Sequence, residues 1–147
     1  MIEVRAYRED DYLNIQRRHF DALTFMNFPK PEAVAKRFTK GIAYTIEASE
    51  GLVASGGVIP LWKSVGEAWV VTSDLIAIYP VFFAKTVWRK LHEIIGSNGI
   101  ERVQTTIHRD HFVSQRWAER MGFQNEGLMR KYLGGEDYYR YALIKEK

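Results

Sequence analysis

SDLIAIYPVFFAKTVW, residues 73–88, decides how the rest of the chain is read: it holds the end of an apolar strand pattern, a turn and a helix start. Upstream, GEAWVVTSDLIAI is apolar on both faces, the pattern of a central strand. Downstream, Pro80 sits where a helix tolerates proline, and Val81, Ala84, Val87, Trp88, Leu91, Ile94 and Ile95 fall on one helical stripe that ends at the breaker SNG. The next run, ERVQTTIH, is again a strand. A strand, a crossover helix and a second strand make the two strands parallel neighbours and bring their C-terminal ends together, where open sheets place ligands.

On the N-terminal side, IEVRAY alternates as a half-buried strand, and REDDYLNIQRRHFDALTF places Tyr12, Ile15, His19 and Leu23 on one helix. After the breaker MNFPKP (residues 26–31), PEAVAKRFTK reads as a short helix with Pro31 in its first turn and Gly41 at its end. IAYTIEAS and LVASGGVIPLW, separated by Glu50 and Gly51, form a hairpin. On the C-terminal side come a short helix, HFVSQRWAERMG, closed by Gly122, and a hairpin of FQNEGLMRKYLG and EDYYRYALIK turned by Gly134 and Gly135. The expected order is β α α β β β α β α β β. This is an α+β chain, one domain over residues 1–147, with a mixed, mostly antiparallel sheet and one parallel pair.

At 147 residues the chain buries a core without disulfides, and 46% hydrophobic with 27% charged residues excludes disordered and fibrous classes. The net charge of +3 is too small to drive nucleic-acid binding without a concentrated patch, so nucleic acid is not an expected partner. The chain has no cysteine, which excludes thiolate nucleophiles and thiolate zinc ligands. No basic-then-apolar leader opens it and no apolar run approaches about 18 residues, so a soluble, cytoplasmic protein without a membrane partner is expected.

The element order, together with RWAERMGF and the closing FQNEGLMRKYLGGEDYYRYAL, resembles the GNAT superfamily of acyl-CoA N-acyltransferases. The resemblance covers the whole chain by topology and residues 68–142 by sequence. EAWVVTSDLI is also similar to acetyltransferase-like proteins of tailed bacteriophages. What the resemblance implies is a splayed parallel pair whose gap admits the pantetheine arm, with the pyrophosphate on the N-terminal amides of the following helix. It implies acetyl-CoA as co-substrate, a small-molecule or protein amine as acceptor, and direct attack of a deprotonated amine on a thioester carbonyl polarised by strand amides. Cofactor contacts are then expected at Leu75, Ile76 and Ala77 and at Phe82, Ala84 and Lys85. A homodimer is a further expectation.

The sequence departs from that family at two places. The pyrophosphate loop pattern of Arg or Gln, two residues, Gly, one residue, then Gly or Ala puts Phe82, Phe83 and Ala84 in its last three slots, and only Ala84 fits. Phe82 and Phe83 read more readily as core or partner surface than as a phosphate site. The slot of the usual general-acid tyrosine is Ala118, beside Trp117, which leaves water to protonate the thiolate. Candidate acid and base groups are Asp74 at the end of the first parallel strand and His108 and His111, with Asp110, at the end of the second. Asp110 or His111 reads alternatively as a cap for the helix starting at Phe112, and Asp74 as a turn cap. His108, Asp110 and His111 match no zinc spacing, so no metal is expected. The tyrosines Tyr132, Tyr138, Tyr139 and Tyr141 read as cross-strand pairs or a dimer contact. The competing function is a catalytically silent GNAT-fold interaction or structural module.

Overall fold

The computed structural model describes residues 1–28 and 30–145; Pro29, in the breaker at 26–31, and residues 146 and 147 lie outside the described residues. The chain opens with β1 (Ile2–Ala6), α1 (Glu9–Asn14), α2 (His19–Phe25) and α3 (Pro31–Arg37). A meander of β2 (Ile42–Ala48), β3 (Gly51–Trp62) and β4 (Val65–Thr72) follows. Then α4 (Pro80–Ser97) crosses to β5 (Arg102–His108), and α5 (Phe112–Arg120) leads into the hairpin of β6 (Gln124–Leu133) and β7 (Glu136–Ile144). Among the described residues, seven strands join one sheet in the order β1-β2-β3-β4-β5-β7-β6, with β4–β5 its parallel pair.

Alternation along the strands sends side chains to two cores. Val58, Val103, Ile107 and Tyr141 pack under α4 and α5 with Leu91, Ile94, Ala118 and Phe123. On the opposite face Val71 and Ile59 pack with Tyr7, Tyr12, Ile15, Ala35 and Phe38 beneath α1 and α3. Val71 and Val103 are fully buried, and each such side chain contributes about 1.5–3 kcal/mol.

Two elements differ from the sequence expectation. The helix expected through Tyr12, Ile15, His19 and Leu23 is broken, with Ile15 extended at φ −68° and ψ 134°. Arg17 Nη2 donates to the Tyr12 carbonyl at 2.7 Å, taking an acceptor that a continuing helix would use. The Arg18 N–H donates instead to the Thr72 carbonyl at 3.1 Å, which pins the start of α2 to the end of β4. The strand expected to reach Ile78 stops at Thr72. Ser73 Oγ donates to the Leu52 carbonyl at 2.7 Å and accepts from the Leu75 N–H at 3.3 Å, capping a 3-10 turn over Asp74–Ala77. Leu75 and Ile76 therefore fold against Ile46 and Val53 rather than lengthening β4.

The parallel pair is short. β4 and β5 pair only as Val65–Arg102, Gly66–Val103 and Glu67–Gln104. Beyond that point Thr105 Oγ1 donates to the Ala68 carbonyl at 3.0 Å, where the next ladder bond would lie. At the far end the Thr72 N–H donates to Asp21 Oδ2 at 2.7 Å, so α2 stands where a neighbouring strand would. Hydrogen-bond direction alternates along a strand, so the backbone of Val70 faces the gap as those of Ala68 and Thr72 do, and Thr106 faces it from β5. Thr105→Val is expected to cost about 1 kcal/mol by leaving the Ala68 carbonyl without that donor. An unchanged urea midpoint would show that the bond at the vertex contributes nothing.

Candidate active site

The separation of β4 and β5 opens a cleft of about 730 Å³ whose walls come from both faces of the sheet. On the α4–α5 side it is lined by Phe83, Thr86, Val87 and Lys90 of α4 and by Trp117 and Ala118 of α5. On the other side Asp21, Thr24 and Phe25 of α2 meet Phe38, Trp69 and Tyr132. A passage through the sheet has backbone amides on its strand edges and apolar side chains above and below. It suits an extended chain carrying its own amides, which can complete the hydrogen bonds a missing strand would make.

Two carboxylates line the cleft on the α2–α3 side. Glu67 lies on β4 in phase with Trp69 and Val71, and its Oε1 accepts from Gln104 Nε2 and from Arg140 Nη1, each at 3.3 Å. Burial raises its carboxyl above the ordinary value, and Arg140 and Gln104 offset that only in part. Asp21 Oδ2 accepts from both the N–H and the Oγ1 of Thr72 at 2.7 Å. Burial raises this carboxyl as well, against the pull of those two donors. A carboxylate whose pKa lies above its ordinary value is a stronger base, and one that lines a cleft is placed to accept a proton. The sequence signal for Glu67 was its position in GEAWVVT, an acid in phase with apolar residues on a central strand.

The acid and base candidates of the sequence reading do not line this cleft. Asp74 begins the 3-10 turn with its side chain 96% exposed, 3.5 Å from Arg18 Nε. His108 is buried but locked: the Asp110 N–H donates to its Nδ1 at 3.0 Å, so the proton resides on Nε2, which donates to Glu136 Oε1 at 2.9 Å. His111 stacks on Phe20 at 4.4 Å, and its Nε2 lies 2.9 Å from Ser114 Oγ. Burial, followed by the nearby charges of Arg18, His108 and His19, lowers its pKa to about 4. Both histidines at the end of β5 pack against Phe20 of α2, and His111 reaches the cleft only through Ser114, which lines it.

The expected cofactor contacts divide in the same way. Leu75 and Ile76 pack into the core from the 3-10 turn that also holds Ala77, and Phe82 packs beside them. Ala84 is half-buried and Lys85 exposed, and neither lines the cleft. Phe83 is buried and stacks on Trp117 at 5.4 Å, joining α4 to α5 over one end of the gap. Missed by sequence were Val70 and Thr106, whose backbones face the gap, and Thr86, Val87 and Lys90, about two to three turns into α4. Lys90 Nζ sits 4.4 Å from the centre of the Tyr44 ring. At the start of α4, Pro80 has no N–H and the Phe83 N–H already donates to the Tyr79 carbonyl at 3.0 Å, so Val81 and Phe82 supply the first-turn amides for an anion.

Neither a known family profile nor a curated protein sequence matches the chain. Solved structures match it along nearly its whole length. An acetyltransferase from Bacillus subtilis in complex with CoA aligns over 99% of this chain and 100% of that one, with a TM-score of 0.73 and 12% identity. A GNAT-family acetyltransferase from Bacillus anthracis aligns over 99% and 96%, with a TM-score of 0.69 and 18% identity. A spermidine N-acetyltransferase from Vibrio cholerae aligns over 97% and 94%, with a TM-score of 0.69 and 12% identity. At these identities the likeness is one of fold, and the fold is that of the GNAT acetyltransferases.

Proposed function

We propose that this chain, built on the GNAT acetyltransferase fold, is an acyl-CoA-dependent N-acetyltransferase that moves an acetyl group from acetyl-CoA to a primary amine. The observation that carries the reading is the release of β4 from β5 after Glu67 and Gln104, which leaves a through-sheet cleft with a carboxylate on one side. The thioester arm lies between the backbones of Val70 and Thr106, with Phe83, Thr86 and Val87 along its apolar side. The amine arrives from the α2–α3 side as an ammonium. Glu67 takes its proton, the freed lone pair attacks the thioester carbonyl carbon, and the Val70 N–H donates to the developing oxyanion. The C–S bond then breaks, the tetrahedral nitrogen gives up its remaining extra proton to water, and water returns a proton to the thiolate, a modest base near pKa 8.5, where the family's tyrosine is replaced by Ala118. A cytoplasmic setting agrees with a chain without cysteine.

The direct test exploits that composition. With no protein thiol present, a thiol-reactive chromophore reports only released CoA. Mixed with acetyl-CoA and a panel of primary amines, the protein is expected to release thiol in an amine-dependent manner. Hydrolysis at the no-enzyme rate with every amine would refute the reading. The second reading, a silent interaction module on the same fold, is favoured by the side chains in the expected glycine slots at the start of α4, and it predicts that CoA does not bind.

A further inference from the structure

The α2–α3 half of the cleft is a chamber of rings. Phe38 stacks on Trp69 at 3.6 Å and 5°, and Phe25 meets Phe38 edge-on at 6.2 Å and Phe28 at 5.8 Å. Phe28 and Tyr132 form the rim, 38% and 47% exposed. The charged groups in the chamber are Asp21, Glu67 and Arg37. Both carboxylates already have partners, Glu67 in Arg140 and Gln104 and Asp21 in Thr72, and burial biases both toward the neutral form. One ammonium is therefore accommodated, by a carboxylate and by the negative faces of the rings. A second ammonium, as in a polyamine, would lie in a chamber that also holds the Arg37 guanidinium. A peptide N-terminus would bring several backbone amides among rings whose polar atoms are only the Trp69 indole N–H and the Tyr132 hydroxyl.

From this chemistry we infer that the acceptor is an arylalkylamine, a single primary amine on a short apolar stem carrying a ring. The ring stacks within Phe25, Phe28, Phe38, Trp69 and Tyr132 and the amine points to Glu67. The inference rests on the transferase reading for its chemistry, while the chamber is tested by binding alone.

The test is calorimetric titration of the full-length protein with 2-phenylethylamine, spermidine and an alanine-terminated peptide, each with and without CoA, followed by thiol release from acetyl-CoA. The expected result is 2-phenylethylamine binding at least about tenfold tighter than either competitor, an effect within the range of one or two ring contacts. Phe28→Ser and Tyr132→Ser, at half-exposed rim positions, should each weaken it about tenfold without moving the thermal midpoint or the CoA titration. Absent 2-phenylethylamine binding, spermidine or peptide binding of equal strength, or insensitivity to both substitutions would overturn the inference. Thiol release with spermidine but not with 2-phenylethylamine would reject the chamber and keep the transferase. Tight ring-dependent amine binding without any thiol release would keep the chamber and reject the transferase.

Discussion

Glu67→Gln is expected to lower kcat/KM for acetyl transfer by about 10²- to 10³-fold, the usual contribution of a positioned general base. Gln keeps the shape of Glu and can still hydrogen-bond Gln104, but it cannot accept a proton from an incoming ammonium. The pH profile separates this from a structural effect. Because burial raises the Glu67 carboxyl, the proposed transfer by the intact protein should speed up as pH rises through that elevated value and then level off. The Gln variant should lack this limb and gain rate only as the free amine accumulates toward its own pKa, near 10. Stability should move in the other direction, or hardly at all. A raised carboxyl pKa means that ionisation disfavours the fold at neutral pH, so removing the charge relieves a cost while leaving Arg140 without its anion. A loss of activity below threefold with the low-pH limb intact would exclude Glu67 as the base and leave Asp21 as the carboxylate to test.

The largest stability effect is expected at Asp11, far from the reacting atoms. Its carboxylate is 4% exposed and accepts from Arg5 Nη1 at 2.9 Å and Nη2 at 2.7 Å, the Arg8 N–H at 2.8 Å and Thr45 Oγ1 at 2.8 Å. Since the single Thr45 hydroxyl proton goes to Asp11, the Ser55 hydroxyl must donate to Thr45 at 2.8 Å, which extends the network into β3. Asp11→Ala leaves the Arg5 guanidinium a half-exposed Glu47 as its remaining carboxylate partner and removes the buried one of three acidic residues in the first turn of α1, for a loss of about 3–5 kcal/mol. That is a large share of the about 5–15 kcal/mol available to a domain. The pH dependence has a definite sign. Burial pushes the Asp11 carboxyl up, but Arg5, Arg8 and Thr45 outweigh it and hold the pKa below the ordinary value. Its stabilisation is thus complete above the unfolded value, about 3.9, and is lost as pH falls through the lower folded value. Urea titrations at pH 7 and at pH 3 should show the gap between the intact protein and the Ala variant narrowing in acid. A difference below 1 kcal/mol at pH 7 would mean that the network is replaceable.

The parts of the fold governed by periodicity and by Gly or Pro were legible. The helix expected from about Pro80 to Ser97 is α4, and Gly134 and Gly135, both at positive φ, turn the last hairpin as their type requires. What escaped the sequence depends on partners distant along the chain. The break after Asn14 comes from an Arg17 side chain reaching back to Tyr12 and from an Arg18 amide reaching across to Thr72. The end of β4 hides in SDLIAI because the residues after Ser73 remain apolar while the Ser73 hydroxyl turns the backbone. The site was half legible. Two parallel strands with converging ends follow from the strand–helix–strand order, but which residues face the gap depends on backbone parity and on where pairing stops. His108 therefore drew attention by its chemistry although Glu136 and the Asp110 amide occupy both ring nitrogens. Glu67 drew none, because a strand glutamate reads as surface until the neighbouring strand is seen to depart.

The account stands on an opening between β4 and β5 that accepts an extended thioester arm. Two-dimensional amide NMR of the uniformly ¹⁵N-labelled protein during titration with acetyl-CoA tests this most directly. The account predicts saturable movement of the Val70 and Thr106 amide signals, with a dissociation constant in the micromolar range and smaller changes at Val4 and Arg5 on the distant β1. If Val70 and Thr106 stay fixed at millimolar acetyl-CoA, the opening does not receive the arm.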